Sequence, residues 1–243
     1  PVHPIMNPPG PLRATDYLVV ESTYGDRRHP IEDVSASLER VVCETVERNG
    51  VVLVPAFAVG RAQHLLHLLS QLEKAGRIPS LPVFLDSPMA INATDIFCRH
   101  RADHRLTEQE CHSMCELARY TRTPDESKAI DRRSGSMIVI SASGMSTGGR
   151  ILHHLRRFLP DPNNAVLFVG YQSPGTRGRS LVDGTDELKI HGQYVPVRAR
   201  IVQVPGLSAH ADYRELLDWL GMSQIAPRRV FVTHGDPPAA DAL

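Results

Sequence analysis

Short apolar runs alternate along this chain with longer stretches in which apolar residues recur at helical spacing. That alternation predicts strands separated by helices, and the repeated order predicts an α/β fold with a doubly wound, largely parallel sheet. The predicted strands are 16–21, 51–57, 82–85, 137–141, 165–170 and 229–233. The predicted helices are about 32–48, 61–74, 90–99, 107–118, 149–159 and 212–220.

Local signals refine this pattern. The segments 107–110 (TEQE) and 212–215 (DYRE) have the form of capping boxes, in which two side chains satisfy free backbone groups at a helix start. The polar stretch 121–136 is predicted to be loop-rich with one short helix. The stretch 189–204 alternates around Gly192, which favours β-structure with a turn. The first strand, 16–21 (DYLVVE), is predicted to be buried.

Composition excludes some classes of protein. Among 243 residues, 42% are hydrophobic, which is enough for a buried core, and 27 basic residues balance 27 acidic ones. A wholly basic nucleic-acid binder would show an excess of positive charge, so any nucleic-acid site must be a local patch. No apolar run approaches the roughly 20 residues of a membrane span, and the start (PVHP) does not resemble a signal peptide.

The four cysteines, Cys43, Cys98, Cys111 and Cys115, form no CxxC pair. Free thiols in a reducing cytoplasm are the simpler interpretation. Cys111 and Cys115 fall on one face of a predicted helix, so a zinc-binding pair is the alternative.

Polar and glycine residues collect where the predicted strands end, and open α/β sheets bind ligands at that edge. The loop 141–150 (SASGMSTGGR) leads directly into a helix, whose free N–H groups could hold a phosphate. Turn sterics alone explain the same glycines equally well. The candidate RNA-binding residues around this loop and the next strand end are Ser141, Ser143, Gly144, Thr147, Gly148, Arg150, Arg177 and Arg179.

Two histidines are better candidates for chemistry. His210 precedes a predicted helix and His234 follows the last predicted strand, while Glu21 ends the first. A histidine in such a position suits a metal or a proton transfer, although a lone histidine is more often structural. The other histidines are interpreted as surface or packing residues. An RNA contact by His153 and His154 is left open as an alternative.

Six segments in order resemble the β-CASP family, nucleases of metallo-β-lactamase fold with an inserted cassette. The resemblance extends from about residue 1 to the end of the chain. The segments are ESTYGDR (21–27), VPAFAVGRAQ (54–63), LDSPMA (85–90), SASGMSTGGR (141–150), SAHAD (208–212) and THGD (233–236).

The resemblance implies a zinc-dependent ribonuclease that hydrolyses RNA phosphodiester bonds in RNA processing or decay. Glu21 matches the family's motif A acid and His210 its motif B histidine, which assist proton transfer to the leaving group. His234 matches motif C, a zinc ligand, and points to RNA rather than DNA. The family further implies two zinc ions and homodimers. The expected partner is single-stranded RNA, and the free thiols favour a cytoplasmic location.

The family's other zinc ligands, in a His-x-His-x-Asp-His motif and beyond, have no counterpart here. The chain is therefore expected to be a C-terminal fragment that is inactive alone. Residues 1–25 would end the first metallo-β-lactamase segment, 26–205 would form the β-CASP cassette, and 206–243 would return to the αββα domain. RNA would run in the cleft between cassette and domain.

Two other functions remain open from the sequence. One is a non-catalytic RNA-binding partner subunit of the same family. The other is an α/β domain that binds a phosphorylated small molecule through the loop 141–150.

Overall fold

A computed structural model describes residues 3–30, 33–223 and 225–243. The described strands are β1 Tyr17–Glu21, β2 Val51–Pro55, β3 Val83–Asp86, β4 Ala118–Tyr120, β5 Met137–Ser141, β6 Ala165–Phe168, β7 Glu187–Ile190, β8 Gln193–Pro196, β9 Arg200–Gln203 and β10 Arg229–Thr233. The described α-helices are α1 Val34–Glu47, α2 Arg61–Lys74, α3 Pro88–Arg99, α4 Glu108–Leu117, α5 Pro124–Ile130, α6 Ile151–Phe158, α7 Arg177–Val182, α8 Tyr213–Leu220 and α9 Pro237–Ala242.

The chain divides into two compact units. The larger runs from Glu32 to Leu207, and the smaller combines Pro1–Ile31 with Ser208–Leu243. No described helix is both long and apolar enough to cross a membrane.

The larger unit is built on a six-stranded sheet in the order β4-β3-β5-β2-β6-β9, and all of its strand pairs are parallel. Every residue of β2 and β5 is buried, as expected when both faces of a parallel sheet are covered. Leu53, Val139 and Phe168 meet Leu155 and Phe158 of α6 in its core. The predicted α/β fold with a largely parallel sheet is confirmed.

The observed ends differ from the predictions at several helices. α3 begins at Pro88 because the Ser87 side chain caps it, whereas α6 begins only at Ile151 because Gly149 has a φ of 80°. α1 begins at Val34, and the predicted start at residue 32 lies outside the described residues. The short strand β4 was not predicted, since three residues carry no usable periodicity.

Several local predictions are confirmed. Both capping boxes are present, at Thr107 and Asp212, and the short helix in 121–136 is α5. The predicted turn lies between β7 and β8, where His191 and Gly192 both have positive φ. Two such residues match the twist of a tight hairpin.

The smaller unit contains β1 and β10, which pair in parallel from Tyr17 opposite Arg229 to Glu21 opposite Thr233. The prediction that 16–21 forms a buried strand is wrong. β1 alternates instead, with Tyr17 61% and Val19 68% exposed while Val20 is buried. An apolar run does not reveal how many neighbours cover a strand, and the two-stranded sheet leaves one face of β1 uncovered.

Candidate active site

Three chemically active side chains converge in the smaller unit. Glu21 ends β1, and His234 directly follows Thr233, which is the register partner of Glu21. His210 lies in the segment before α8, and Ala211 N–H donates to Glu21 Oε1 at 3.1 Å. Parallel strands end at the same edge of a sheet, so the pairing itself places Glu21 beside His234.

The donor atoms of Glu21, His210 and His234 all lie within 4.8 Å of one another. His210 Nδ1 is 3.2 Å from Glu21 Oε2, and the two imidazole rings stack with centroids 5.1 Å apart. His210 is 39% and Glu21 27% exposed at the side chain, so solvent reaches both groups. One carboxylate and two imidazoles are a ligand set suited to zinc.

The carboxylate of Glu21 is held in its charged form. Burial opposes ionisation, but hydrogen bonds with His210 and from Thr23 outweigh it and lower the pKa of Glu21 to about 2. An ionised carboxylate 3.2 Å from Nδ1 fixes the orientation of the His210 ring.

Thr23 belongs to the same cluster, although the sequence analysis did not single it out. Its Oγ1 lies 3.3 Å from His210 Nδ1 and 3.1 Å from His234 Nδ1, and its N–H donates to Glu21 Oε2 at 2.9 Å. Its position two residues after Glu21 was the only sequence signal, and a threonine at such a position is ordinary after the end of a strand.

A second set of contacts fixes the backbone around these groups. Asp212 caps α8 and also accepts from His29 N–H at 2.9 Å, while His29 Nε2 lies 2.8 Å from the His210 carbonyl. Gly235 follows His234 against Ser22, whose backbone and hydroxyl occupy the space that a Cβ would need. The histidine positions are therefore set by packing on both sides.

The other predicted site residues lie in the larger unit, where the loop 141–150 connects β5 to α6. Its helix terminus does not offer the free donors expected. The N–H groups of Ile151, Leu152 and His153 already donate to the carbonyls of Ala142, Gly149 and Arg150. These occupied donors do not favour a phosphate at that helix start, and the phosphate site stays a prediction.

Turn sterics explain part of this loop. A Cβ on Gly144 would lie 2.7 Å from the Phe57 ring, and one on Gly149 would lie 2.5 Å from the Ala142 carbonyl. Gly148 has open space instead, so a ligand can approach its backbone. The Ser143 hydroxyl binds Thr147, at both N–H and hydroxyl, at 3.1 Å.

Three of the remaining candidates have protein partners. Ser141 is buried and donates to the Asp86 carbonyl at 2.9 Å. Arg177 donates to the carbonyls of Lys189 and Thr147, and Arg179 pairs with Asp183 at 2.9 Å.

Arg150 is also anchored. Its Nη1 donates to Asp86 Oδ1 at 2.7 Å and to the Thr121 carbonyl at 3.0 Å, and its Nη2 donates to the Arg122 carbonyl. His154 is fully buried against Asp86, so the RNA contact left open for that residue is wrong, while its exposed neighbour His153 stays available.

Comparisons with known proteins identify two domains in this chain. Residues 62–181 match the Beta-Casp domain, and residues 194–243 match the Zn-dependent metallo-hydrolase RNA specificity domain. The second match contains His210 and His234. The chain belongs to the β-CASP family of metallo-β-lactamase fold.

Named relatives cover nearly all of this chain. "Ribonuclease TTHA0252" of Thermus thermophilus is 38% identical over 239 residues, which is 94% of this chain and 53% of that protein. "Transcription termination factor FttA" of Pyrococcus abyssi is 34% identical over 90% of this chain and 36% of its own length. The "RNase J-like protein" of Methanocaldococcus jannaschii is 30% identical over 91% of this chain and 52% of its own length. The chain thus spans at most about half the length of these relatives.

Proposed function

We propose that the protein containing this chain is a zinc-dependent ribonuclease that hydrolyses RNA phosphodiester bonds in RNA processing or decay. The observation that carries the proposal is the convergence of Glu21, His210 and His234 within 4.8 Å, inside a chain that matches both a Beta-Casp and an RNA specificity domain.

The donor set at this site fits zinc, and His234 is the proposed ligand. In a two-zinc hydrolase the metal supplies an activated water and polarises the scissile phosphate. The Nδ1 of His234 lies beside Thr23 Oγ1, an arrangement in which a zinc-binding histidine donates one N–H to a neighbour and presents its other nitrogen to the ion.

Glu21 and His210 are proposed to act on the leaving group. Glu21 holds His210 through Nδ1, so Nε2 is the nitrogen placed to deliver a proton to the 3′ oxygen as the bond to phosphorus breaks. The Glu21 carboxylate keeps the His210 ring in this orientation during the transfer. The products would be a 5′ phosphate and a 3′ hydroxyl.

We propose that the chain alone does not cleave RNA. A catalytic zinc needs about three protein ligands, and two of the three groups here, Glu21 and His210, are engaged with each other. Single-stranded RNA as substrate, a cytoplasmic location and a homodimer belong to the same proposal, as do RNA contacts at Ser143, Thr147 and Gly148.

The test uses an end-labelled single-stranded RNA with zinc, offered to this chain and to the same protein extended upstream through the remaining ligands. We expect only the extended protein to cut. His234→Ala, Glu21→Gln and His210→Ala should each lower its rate at least about 100-fold. His112→Asn, an exposed histidine in the larger unit, is the matched control.

Other outcomes of this experiment would contradict the proposal. Zinc-dependent cleavage by the chain alone, lost in His234→Ala, would refute its inactivity. If the extended protein binds RNA but does not cut it, the non-catalytic partner function replaces the enzymatic one. Binding of a phosphorylated small molecule without RNA affinity would favour the third function.

A further inference from the structure

Two cysteines meet at one end of a helix pair in the larger unit. Cys98 lies near the end of α3 and Cys115 near the end of α4. Their Sγ atoms are 3.1 Å apart, about 1 Å more than a disulfide bond requires. Both side chains are only half-buried, so small reagents can reach the pair.

Of the other two cysteines, Cys111 also interacts with Cys98, whereas Cys43 lies on a different helix. Cys111 is buried one turn before Cys115, and its Sγ lies 3.7 Å from His104 Nε2. His104 Nδ1 accepts from Leu106 N–H, so Nε2 carries the proton and points it at the Cys111 sulfur. Cys43 lies on α1 beside the Arg77 carbonyl, and burial raises the pKa of its thiol.

The contact between Cys98 and Cys115 favours loss of one proton from the pair. A hydrogen bond from Cys98 lowers the pKa of Cys115 to about 6 against the opposing effect of burial, and raises that of Cys98. The buried Tyr120 hydroxyl also lowers the Cys115 pKa and has no other hydrogen-bond partner among the described residues. The nearby Asp95 raises the pKa of Cys115, and the nearby His112 lowers it.

We propose that Cys98 and Cys115 form a peroxide-reactive dithiol site, in which Cys115 is oxidised first and Cys98 then closes a reversible disulfide. The Cys115 thiolate attacks one oxygen of hydrogen peroxide and the O–O bond breaks. Hydroxide departs as the leaving group, and Cys115 becomes a sulfenic acid. The Cys98 sulfur attacks that sulfenic sulfur, loses its proton and expels water. Two thiols are oxidised by two electrons and one peroxide becomes two waters.

The disulfide would fasten α3 to α4. α3 begins at Pro88, two residues after Asp86, and β4, the strand that follows α4, leads to Thr121. Asp86 and the Thr121 carbonyl are the two groups that hold Arg150 Nη1. Oxidation would therefore fix the spacing of the elements that anchor the end of the loop 141–150.

The experiment uses the chain itself, reduced and then exposed to hydrogen peroxide at pH 7. We expect a Cys98–Cys115 crosslink in the peptide map, reversed by dithiothreitol, and a Tm raised by about 5–10 °C through closure of the segment between them. Cys111 and Cys115 share one tryptic peptide, so fragmentation of the linked peptide must assign the partner. Before oxidation, Cys115 should react with iodoacetamide roughly tenfold faster than Cys43.

Matched variants separate the two thiols. In Cys98→Ser we expect a dimedone-reactive sulfenic acid on Cys115 and no gain in Tm on oxidation, while Cys43→Ser should form the disulfide like the parent chain. The reduced forms of both variants are compared with the parent by Tm, which shows that each is folded.

Three outcomes would overturn the proposal. One is a crosslink that joins Cys111 or Cys43 instead of the proposed pair. Another is alkylation of Cys115 no faster than that of Cys43. The third is tight zinc binding that protects Cys98 and Cys115 from peroxide, which would make the pair a metal site.

Discussion

His154 Nε2 lies 2.7 Å from Asp86 Oδ2, and neither side chain is exposed to solvent. The opposite ring nitrogen, Nδ1, lies 2.6 Å from Asp131 Oδ1. An imidazole can donate from both nitrogens only when it is protonated. His154 is therefore a buried cation between two carboxylates, and Asp86 carries Arg150 on its other oxygen.

The substitution His154→Asn should destabilise the fold by about 3 kcal/mol. It removes one charge from a buried network, and among the described residues it leaves Asp86 with only Arg150 and Ser127 as side-chain partners. Urea denaturation of both proteins measures the difference. The control His153→Asn changes the exposed neighbour and should alter the free energy of unfolding by no more than about 0.5 kcal/mol. An equal loss of stability in both variants would show that the buried network is not the cause.

The same network predicts a dependence of stability on pH. Burial would lower the pKa of His154, but hydrogen bonds with Asp131 and Asp86 raise it from 6.5 to about 9. The folded state thus binds this proton more tightly than the unfolded state. The stability that protonated His154 contributes to the fold is fully present below about pH 6.5 and is lost as the pH rises through about 9.

The measurement is the difference in unfolding free energy between the parent chain and His154→Asn at several pH values. We expect this difference to shrink by roughly 3 kcal/mol between pH 6 and pH 10. A difference that stays constant over this range would mean that His154 is neutral when folded.

Thr23 should matter for metal binding although it is not a proposed ligand. Its hydroxyl contacts Nδ1 of both His210 and His234 and thereby fixes their ring orientation. In the extended protein, Thr23→Val should weaken zinc binding by about tenfold, whereas Thr23→Ser should keep it. Competition with a zinc indicator reports the affinity directly, and equal affinities of the two variants would refute this role.

Gly235→Ala should destabilise the smaller unit by about 1–3 kcal/mol, because the added Cβ meets the backbone and hydroxyl of Ser22 and the strand end must shift. Gly10→Ala is the control, since its Cβ would meet nothing within 4 Å. Thermal denaturation compares the two. The same shift should move the His234 side-chain NMR signals, and unchanged signals would contradict the proposed coupling.

The sequence by itself determined the parallel α/β sheet of the larger unit, the two capping boxes and the family. Buried strands such as β2 and β5 consist of consecutive apolar residues, and a cap depends on side chains only three positions apart. These patterns involve residues that are close together in sequence, so they can be recognised without the tertiary structure. It also pointed to Glu21, His210 and His234, because strand ends and motif order can be read along the chain.

Only the tertiary structure decided which of these residues meet. Thr23 and His210 are 187 positions apart in sequence, and the link between Asp86 and His154 spans 68. The same holds for the exposed face of β1, the occupied donors at the start of α6 and the Cys98–Cys115 contact. Each depends on strand pairing or helix packing between distant segments, and local periodicity does not record such distances.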